Sequence, residues 1–344
     1  MTQVRQVEFG RRFAWNSDPR AKRIDPYGVC ARVALISPAW LPAALRRRRS
    51  KLRWSASALF IGLLLLSSGH AYADDVTGTG SDHTQFCLAC VRIRVGQPGE
   101  SGEWIVHVER ARRGVLGWVH DETGDAPGQG LKSVSLALSD DDGLNWHRLG
   151  QIITGTEPVI KGRITGEGDC TAVNSHDGYY YAYCLRNRDQ GNIVARAPID
   201  HPGPGNWKKY FNGSWSEPGL GGDATKLAKG GGVATAYWQT ARRLVNLGLI
   251  AGGIGVAFSD DHVNFTPLPE PLLPKLEGGW RRPGDPHELL TYWSLIDQQT
   301  GLNQLSDRWL MAYMDIQPNE GFDKRYQVLR QVDVSLSGER VDPQ

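Results

Sequence analysis

Ser139-Asp140-Asp141-Asp142-Gly143-Leu144-Asn145-Trp146 lies inside the longer stretch SVSLALSDDDGLNWHRLGQII, residues 133–153. An apolar, alternating run leads into the octet and another leads out of it. Chemistry reads the octet as a tight turn between two strands. Ser and Asp side chains close onto backbone N–H groups, Gly supplies a positive φ, and Trp packs back between the strands. Its residue types are explained by turn-making, so its aspartates are set aside as candidates for chemistry.

The pattern recurs. GIGVAFSDDHVNFTPLPEPLL, residues 253–273, repeats the order strand, Ser-Asp-Asp, turn, aromatic, strand. Its turn, Ser259–Phe265, lacks the Gly and is one residue shorter. NIVARAPIDHPGPGNWKKYFNGSW, residues 192–215, is a looser third copy. Further strand-like runs are Trp104–Val108, Val115–Val119, Tyr179–Tyr183 and Arg308–Tyr313, bounded by Gly, Pro, Asn and Asp. Only Ala234–Ile250 is ambiguous, and Gly248 with its flanking glycines weighs against a helix there. Hairpins beginning near Trp104, Asp169, Val233 and Leu289 recur at a period of roughly 60 residues. The expectation is an all-β chain. Its fold is a β-propeller of five blades, four clear repeats plus a closing remnant, with a β-sandwich as the alternative.

Charge divides the chain. Residues 1–73 hold 13 of the 39 Lys/Arg and 3 of the 37 Asp/Glu, so residues 74–344 are acidic, with 26 against 34. An acidic body argues against nucleic acid as partner, since phosphate binding needs a basic surface. Within the prefix, Arg46–Arg49 and Lys51 precede an apolar run centred on Leu59–Leu66, and Ala71-Tyr72-Ala73 fits a small-x-small cleavage site. Residues 46–73 therefore read as a signal peptide, residues 1–45 as an unassigned extension with a misplaced start, and residues 74–344 as the domain. Export to the periplasm or medium follows, with no membrane span after cleavage, because the apolar run is short of the roughly 20 residues a span needs. Cys87, Cys90, Cys170 and Cys184 make an even number in the body, which suits disulfides. Cys170 and Cys184 flank the turn Ser175–Gly178 almost symmetrically and can meet across a hairpin. Cys87 and Cys90 suit a local bridge.

Three features carry a resemblance. They are Gly117-Trp118-Val119-His120-Asp121-Glu122 followed by the octet strand, Gly168-Asp169 opening a hairpin, and Val194-Ala195-Arg196-Ala197 followed by Trp207. With them the chain resembles secreted five-bladed propellers of the glycoside-hydrolase type, as in families 43, 32, 68 and 130, and the octet resembles the sialidase-type Asp-box. The resemblance implies three acids projecting into a central cavity from different blades. It implies no cofactor. Residues 74–103 are too short for a full first blade. Either they supply one or two strands that close the ring with Gln327–Leu336, or a first-blade acid of those families is missing.

Hydrolysis of a glycosidic bond needs two carboxyl groups flanking it, in environments that separate their pKa values. Glu122, in His120-Asp121-Glu122 at the end of a strand, is one candidate. Asp169, in Gly166-Glu167-Gly168-Asp169, is the second, and Glu288, just before Leu289–Tyr292, is the third. Glu167 and Asp223 are weaker candidates. His120, Asp121, Arg186, Arg282 and His287 are the expected substrate-binding residues. Arg188, Arg196 and Arg325 add basic character that suits an acidic sugar. Trp118, Trp207, Trp215, Tyr292 and Trp293 have the flat rings that stack on sugars, although in propellers such rings mostly pack between blades. No metal-ligand set or phosphate loop is present in the right context. The expected function is hydrolysis of a carbohydrate, the alternative a non-catalytic propeller that binds a glycan or protein. Oligomeric state is not legible.

Overall fold

The structure is a computed structural model. It describes residues 102–336, apart from positions 127, 128, 144, 229, 230, 251 and 275, and two short strands near the start of the chain. Those two are β1 (Thr2–Gln6) and β2 (Arg11–Ala14). Four antiparallel meanders follow. The first is β3 (Gly102–Arg110), β4 (Val115–Ala126), β5 (Gln129–Ser139) and β6 (His147–Thr154). The second is β7 (Thr165–Asn174), β8 (Tyr179–Arg186), β9 (Gly191–Pro198) and β10 (Lys208–Phe211), with β11 (Ser214–Pro218) on its outer edge. The third is β12 (Thr235–Trp238), β13 (Arg243–Ile250) and β14 (Gly253–Ser259), edged by short β15 (Thr266–Pro267) and β16 (Leu273–Pro274). The fourth runs from β17 (Leu289–Asp297) past short β18 (Gln304–Leu305) to β19 (Arg308–Ile316) and β20 (Tyr326–Leu336). The one helical element among the described residues between 102 and 336 is a 3-10 turn at Phe322–Lys324.

The meanders begin where the sequence spacing puts the hairpins. The ambiguous Ala234–Ile250 segment resolves into β12 and β13, which pair in register from Thr235↔Asn246 to Trp238↔Arg243. Arg242 at φ 52° makes the reversal between them. Successive meanders are laced by short parallel pairings. Leu131↔Thr165 and Lys132↔Gly166 tie the first to the second, and Tyr237↔Gln304 and Trp238↔Leu305 tie the third to the fourth.

Apolar clusters sit between the meanders in turn. Trp118, Leu136, Ala182, Ile193 and Trp207 join the first to the second. Val173, Tyr183, Val194, Leu244 and Phe265 join the second to the third. Trp238, Val256, Trp309, Met311 and Val332 join the third to the fourth. At roughly 1.5–3 kcal/mol per buried large apolar side chain, these three layers hold the meanders together. A fourth cluster, with Ile105, Val119, Ala137 and Trp146, lies on the other face of the first meander.

Both Ser-Asp-Asp turns are built as their chemistry requires. Gly143 N–H donates to Ser139 Oγ (2.7 Å), and Asn145 N–H donates to Asp141 Oδ1 (2.8 Å). Trp146 Nε1 donates to Gly143 O (2.9 Å), with Gly143 at φ 90°. The shorter turn repeats this: Val263 and Asn264 N–H groups donate to Asp261 Oδ1 at 3.0 and 2.7 Å. His262 at φ 69° matches Asp142 at φ 61°, and the shorter turn has no second left-handed residue at the place of Gly143.

Cys170 and Cys184 form a disulfide across the β7–β8 hairpin, as their spacing suggests. Cys87, Cys90 and the expected signal peptide lie outside the described residues. Residues 74–101, expected to help close the ring with Gln327–Leu336, lie outside the described residues, and Gly102 and Glu103 pair with Glu122 and Asp121 of β4. One edge of β20 carries β19, and the other is taken by β1 and β2, from Thr2↔Leu336 to Ala14↔Tyr326.

Candidate active site

The site is built where β4, β5 and β7 meet. On β4, alternation sends Trp118, His120 and Glu122 to one face and Asp121 to the other. Lys132 on β5 pairs in register with Glu122, and its parallel bridge to Gly166 brings β7 alongside. β7 bulges between Gly168 and Thr171, and Asp169 takes φ 49° there. Left-handed backbone at a non-glycine residue is uncommon and costs energy, and it re-aims the side chain.

His120 organises the cluster. Its side chain is fully buried and stacks on Trp104, with ring centroids 4.4 Å apart. Its Nδ1 accepts the backbone N–H of Asp169 (2.9 Å). That leaves Nε2 as the ring nitrogen able to donate. That edge faces Glu122 Oε2 at 3.6 Å, while Asp169 Oδ1 lies 3.6 Å from Nδ1. Glu122 and Asp169 thus flank opposite nitrogens of one imidazole. The two 3.6 Å contacts and the width of the ring set an upper bound of roughly 9–10 Å on the separation of their oxygens. Gly168 is required for this approach, since a Cβ there would stand 2.8 Å from His120 Cε1 and 2.9 Å from Lys132 Cβ.

Both carboxylates are held ionised. The facing His120 imidazole pulls the Glu122 carboxyl below its usual range against the effect of burial, and Lys132 adds to it. Burial pushes the Asp169 carboxyl up, but His120 and the Lys132 ammonium outweigh it and leave it low. Lys132 Nζ forms an ion pair with Asp169 Oδ2. The carboxylates are reachable: the Asp169 side chain is 29% exposed and that of Glu122 is 14% exposed.

The remaining expected residues are placed elsewhere or committed to the fold. Asp121, on the opposite face of β4, accepts from Ser135 Oγ and from Arg148 (2.8 Å), which also meets Glu103 (2.7 Å). Arg186 makes a bidentate pair with Asp189 (3.0 and 2.8 Å) and donates to Ala224 O (2.6 Å). Asp223 is held by Arg188 (2.6 Å). Glu167 is buried against Lys209 (2.7 Å). Arg282 donates to three backbone oxygens, of His287, Gln317 and Glu320, and its side chain is buried. His287 pairs with Asp285 (3.2 Å). Glu288, at the head of the fourth meander, meets Gln317 (3.4 Å), whose amide also donates to Asp315 (2.8 Å). Trp118 and Trp207 are core residues, edge to face with each other. Among the described residues no group of His, Cys, Asp and Glu is arranged to hold a metal ion.

Lys132 and Trp104 are the residues that sequence reasoning missed. Each sits at an ordinary alternating strand position, and only the β5–β7 bridge and the β3–β4 pairing bring them to the acids.

No protein-family model matches the chain, and no curated protein matches it. Among solved structures it is similar to a protein of unknown function from Dyadobacter fermentans (14% identity, 67% of this chain and 53% of that one, TM-score 0.39). It is similar to a family 117 glycoside hydrolase from the marine bacterium Zobellia galactanivorans (16% identity, 74% and 67%, TM-score 0.41). It is also similar to a GH43 β-1,3-galactosidase (14% identity, 65% and 55%, TM-score 0.36). The chain thus spans about half the length of the first and last of these proteins. At these scores function is read from the site alone.

Proposed function

We propose that the chain is an exported glycoside hydrolase that cleaves a glycosidic bond between Glu122 and Asp169. The observation that carries this reading is the pair of carboxylates flanking opposite nitrogens of buried His120. Asp169, more exposed and kept ionised by Lys132, is the base that activates water or attacks the sugar. Glu122 is the second carboxylate, and Nε2 of His120 faces it at 3.6 Å. Glu288, from the fourth meander, is the third acid of the set. The domain is residues 74–344, a five-bladed propeller whose blades are the four meanders and one more, and cleavage before Asp74 takes β1 and β2 off the edge of β20. Apolar burial on the outward face of the first meander supports a further neighbour there. The disulfide supports export, since such bridges persist in oxidising compartments.

The test is hydrolysis of a glycan library by the purified protein. Glu122→Gln and Asp169→Asn are each expected to lower the rate by roughly 10²–10⁴-fold. Activity that survives both changes, and Glu288→Gln as well, sinks the assignment.

One observation favours a second reading. Glycosidases keep one carboxyl protonated by raising its pKa, whereas Glu122 and Asp169 are both held low. A propeller that binds a glycan without cutting it fits that balance. Tight glycan binding with no product release would select it.

A further inference from the structure

The loop that leads through Glu288 into the fourth meander carries an exposed aromatic group. Trp280 is 56% exposed, the most exposed aromatic among the described residues. It is nevertheless held. Phe322 stacks on it with centroids 5.7 Å apart and planes 20° apart, and Tyr292 meets it at right angles with centroids 5.6 Å apart. Tyr292 is itself partly exposed and takes φ 52° at a bulge in β17, where register shifts between Thr291 and Ser294. A bulky residue in left-handed backbone is an outlier, and such strain concentrates at functional sites.

The three rings come from separate segments that are knitted together beneath them. Buried Arg282 spans the two loops, donating to His287 O on its own loop and to Gln317 O and Glu320 O on the other. Asn319 N–H donates to Asp285 O (2.7 Å), and Gly279 N–H to Asp285 Oδ2 (2.7 Å). Gly278 N–H donates to Glu288 O (3.1 Å). Trp280 is thus presented on a loop fastened at both ends, so ordering it on binding costs little.

We propose that Trp280, supported by Phe322 and Tyr292, is a platform for the apolar face of a sugar ring. Three arguments select that ligand class. The surface is flat and aromatic rather than aliphatic. Three rings are far smaller than the roughly 800 Å² per partner of a stable protein interface. Exposed His287 and Glu277, 3.7 Å apart, supply hydrogen-bonding groups on the loop that carries Trp280, which suits a ligand with an apolar face and a hydroxyl edge. The ligand class rests on the carbohydrate reading above, but the platform needs no hydrolysis.

The test is native gel electrophoresis of the purified protein through gels containing a soluble glucan, xylan, mannan or galactan. At least one polymer retards the parent protein, and Trp280→Ala weakens that retardation by roughly tenfold or more while its thermal midpoint is unchanged. Trp280→Phe keeps part of it. The double variant Glu122→Gln/Asp169→Asn is retarded like the parent, which separates this site from the proposed catalytic pair. No retardation by any of the four polymers, or equal retardation of the Trp280→Ala variant, overturns the proposal. So does a loss of self-association in that variant with unchanged retardation, which marks a protein contact instead.

Discussion

Lys209→Met puts the buried electrostatics to a quantitative test. Lys209 lies in β10 with its side chain fully buried, and its Nζ meets Glu167 Oε2 at 2.7 Å. It also donates to Thr154 O (2.9 Å) and Gly222 O (2.6 Å), fastening the end of β6 and the loop after β11 to β7. Met fills similar volume but leaves Glu167, itself 2% exposed, as an unpaired buried charge. Breaking one side of such a pair costs about 3–5 kcal/mol. For a domain of this size, that lowers the thermal midpoint by roughly 6–20 °C. The assay is urea and thermal unfolding followed by circular dichroism, on the parent, Lys209→Met, Glu167→Gln and the double variant. The double variant recovers most of the loss, because neither charge is then left alone. The pH dependence has a definite sign. Burial already raises the folded-state pKa of Glu167 above its unfolded value in the parent, against the opposing Lys209 ammonium, and Lys209→Met removes that opposition. Protonation therefore restores stability at acid pH, and stability is lost again as pH rises through the raised value. A loss below about 1 kcal/mol, or a double variant as damaged as the sum of the single ones, refutes the reasoning.

Two further outcomes follow from the fold. Replacing Cys170 and Cys184 by Ser removes a bridge between residues 14 apart, and denaturant melts are expected to show a loss of about 3 kcal/mol. Glu122 and Asp169 have folded-state pKa values below the ordinary range, so the stability they contribute is present above the unfolded carboxylate pKa. It is lost as pH falls through the depressed values, below about pH 4, and that acid loss is shallower in the Asp169→Asn variant.

The strands were legible because alternation and turn chemistry are local. Val115–Val119 and Ser133–Leu138 each sit inside an observed strand, and the two Ser-Asp-Asp turns share one hydrogen-bond pattern despite the missing Gly. The Cys170–Cys184 pairing was legible because a symmetric turn puts the two residues opposite each other. The partners of the site were less so. Asp121 and Glu122 are neighbours in sequence, but the period of two sends them to opposite faces, so only Glu122 joins His120. Arg186 and Arg282 read as substrate-binding residues because sequence cannot show that Asp189 and backbone carbonyls hold them. Lys209 stands beside Lys208 in an ordinary basic doublet, and only the sheet tells which of the two turns inward. Lys132 meets Asp169 through a two-residue parallel bridge between strands that the sequence separates by a whole hairpin.

Cys170 directly follows Asp169, so the disulfide anchors one end of the bulge that turns this carboxylate toward His120. A chain folded where thiols stay reduced would carry every residue of the site but not that anchor. The aim of its carboxylate would then rest on a single backbone hydrogen bond and the Lys132 contact. The bridge that staples the hairpin thus also adds a covalent constraint next to the residue whose backbone donates to His120.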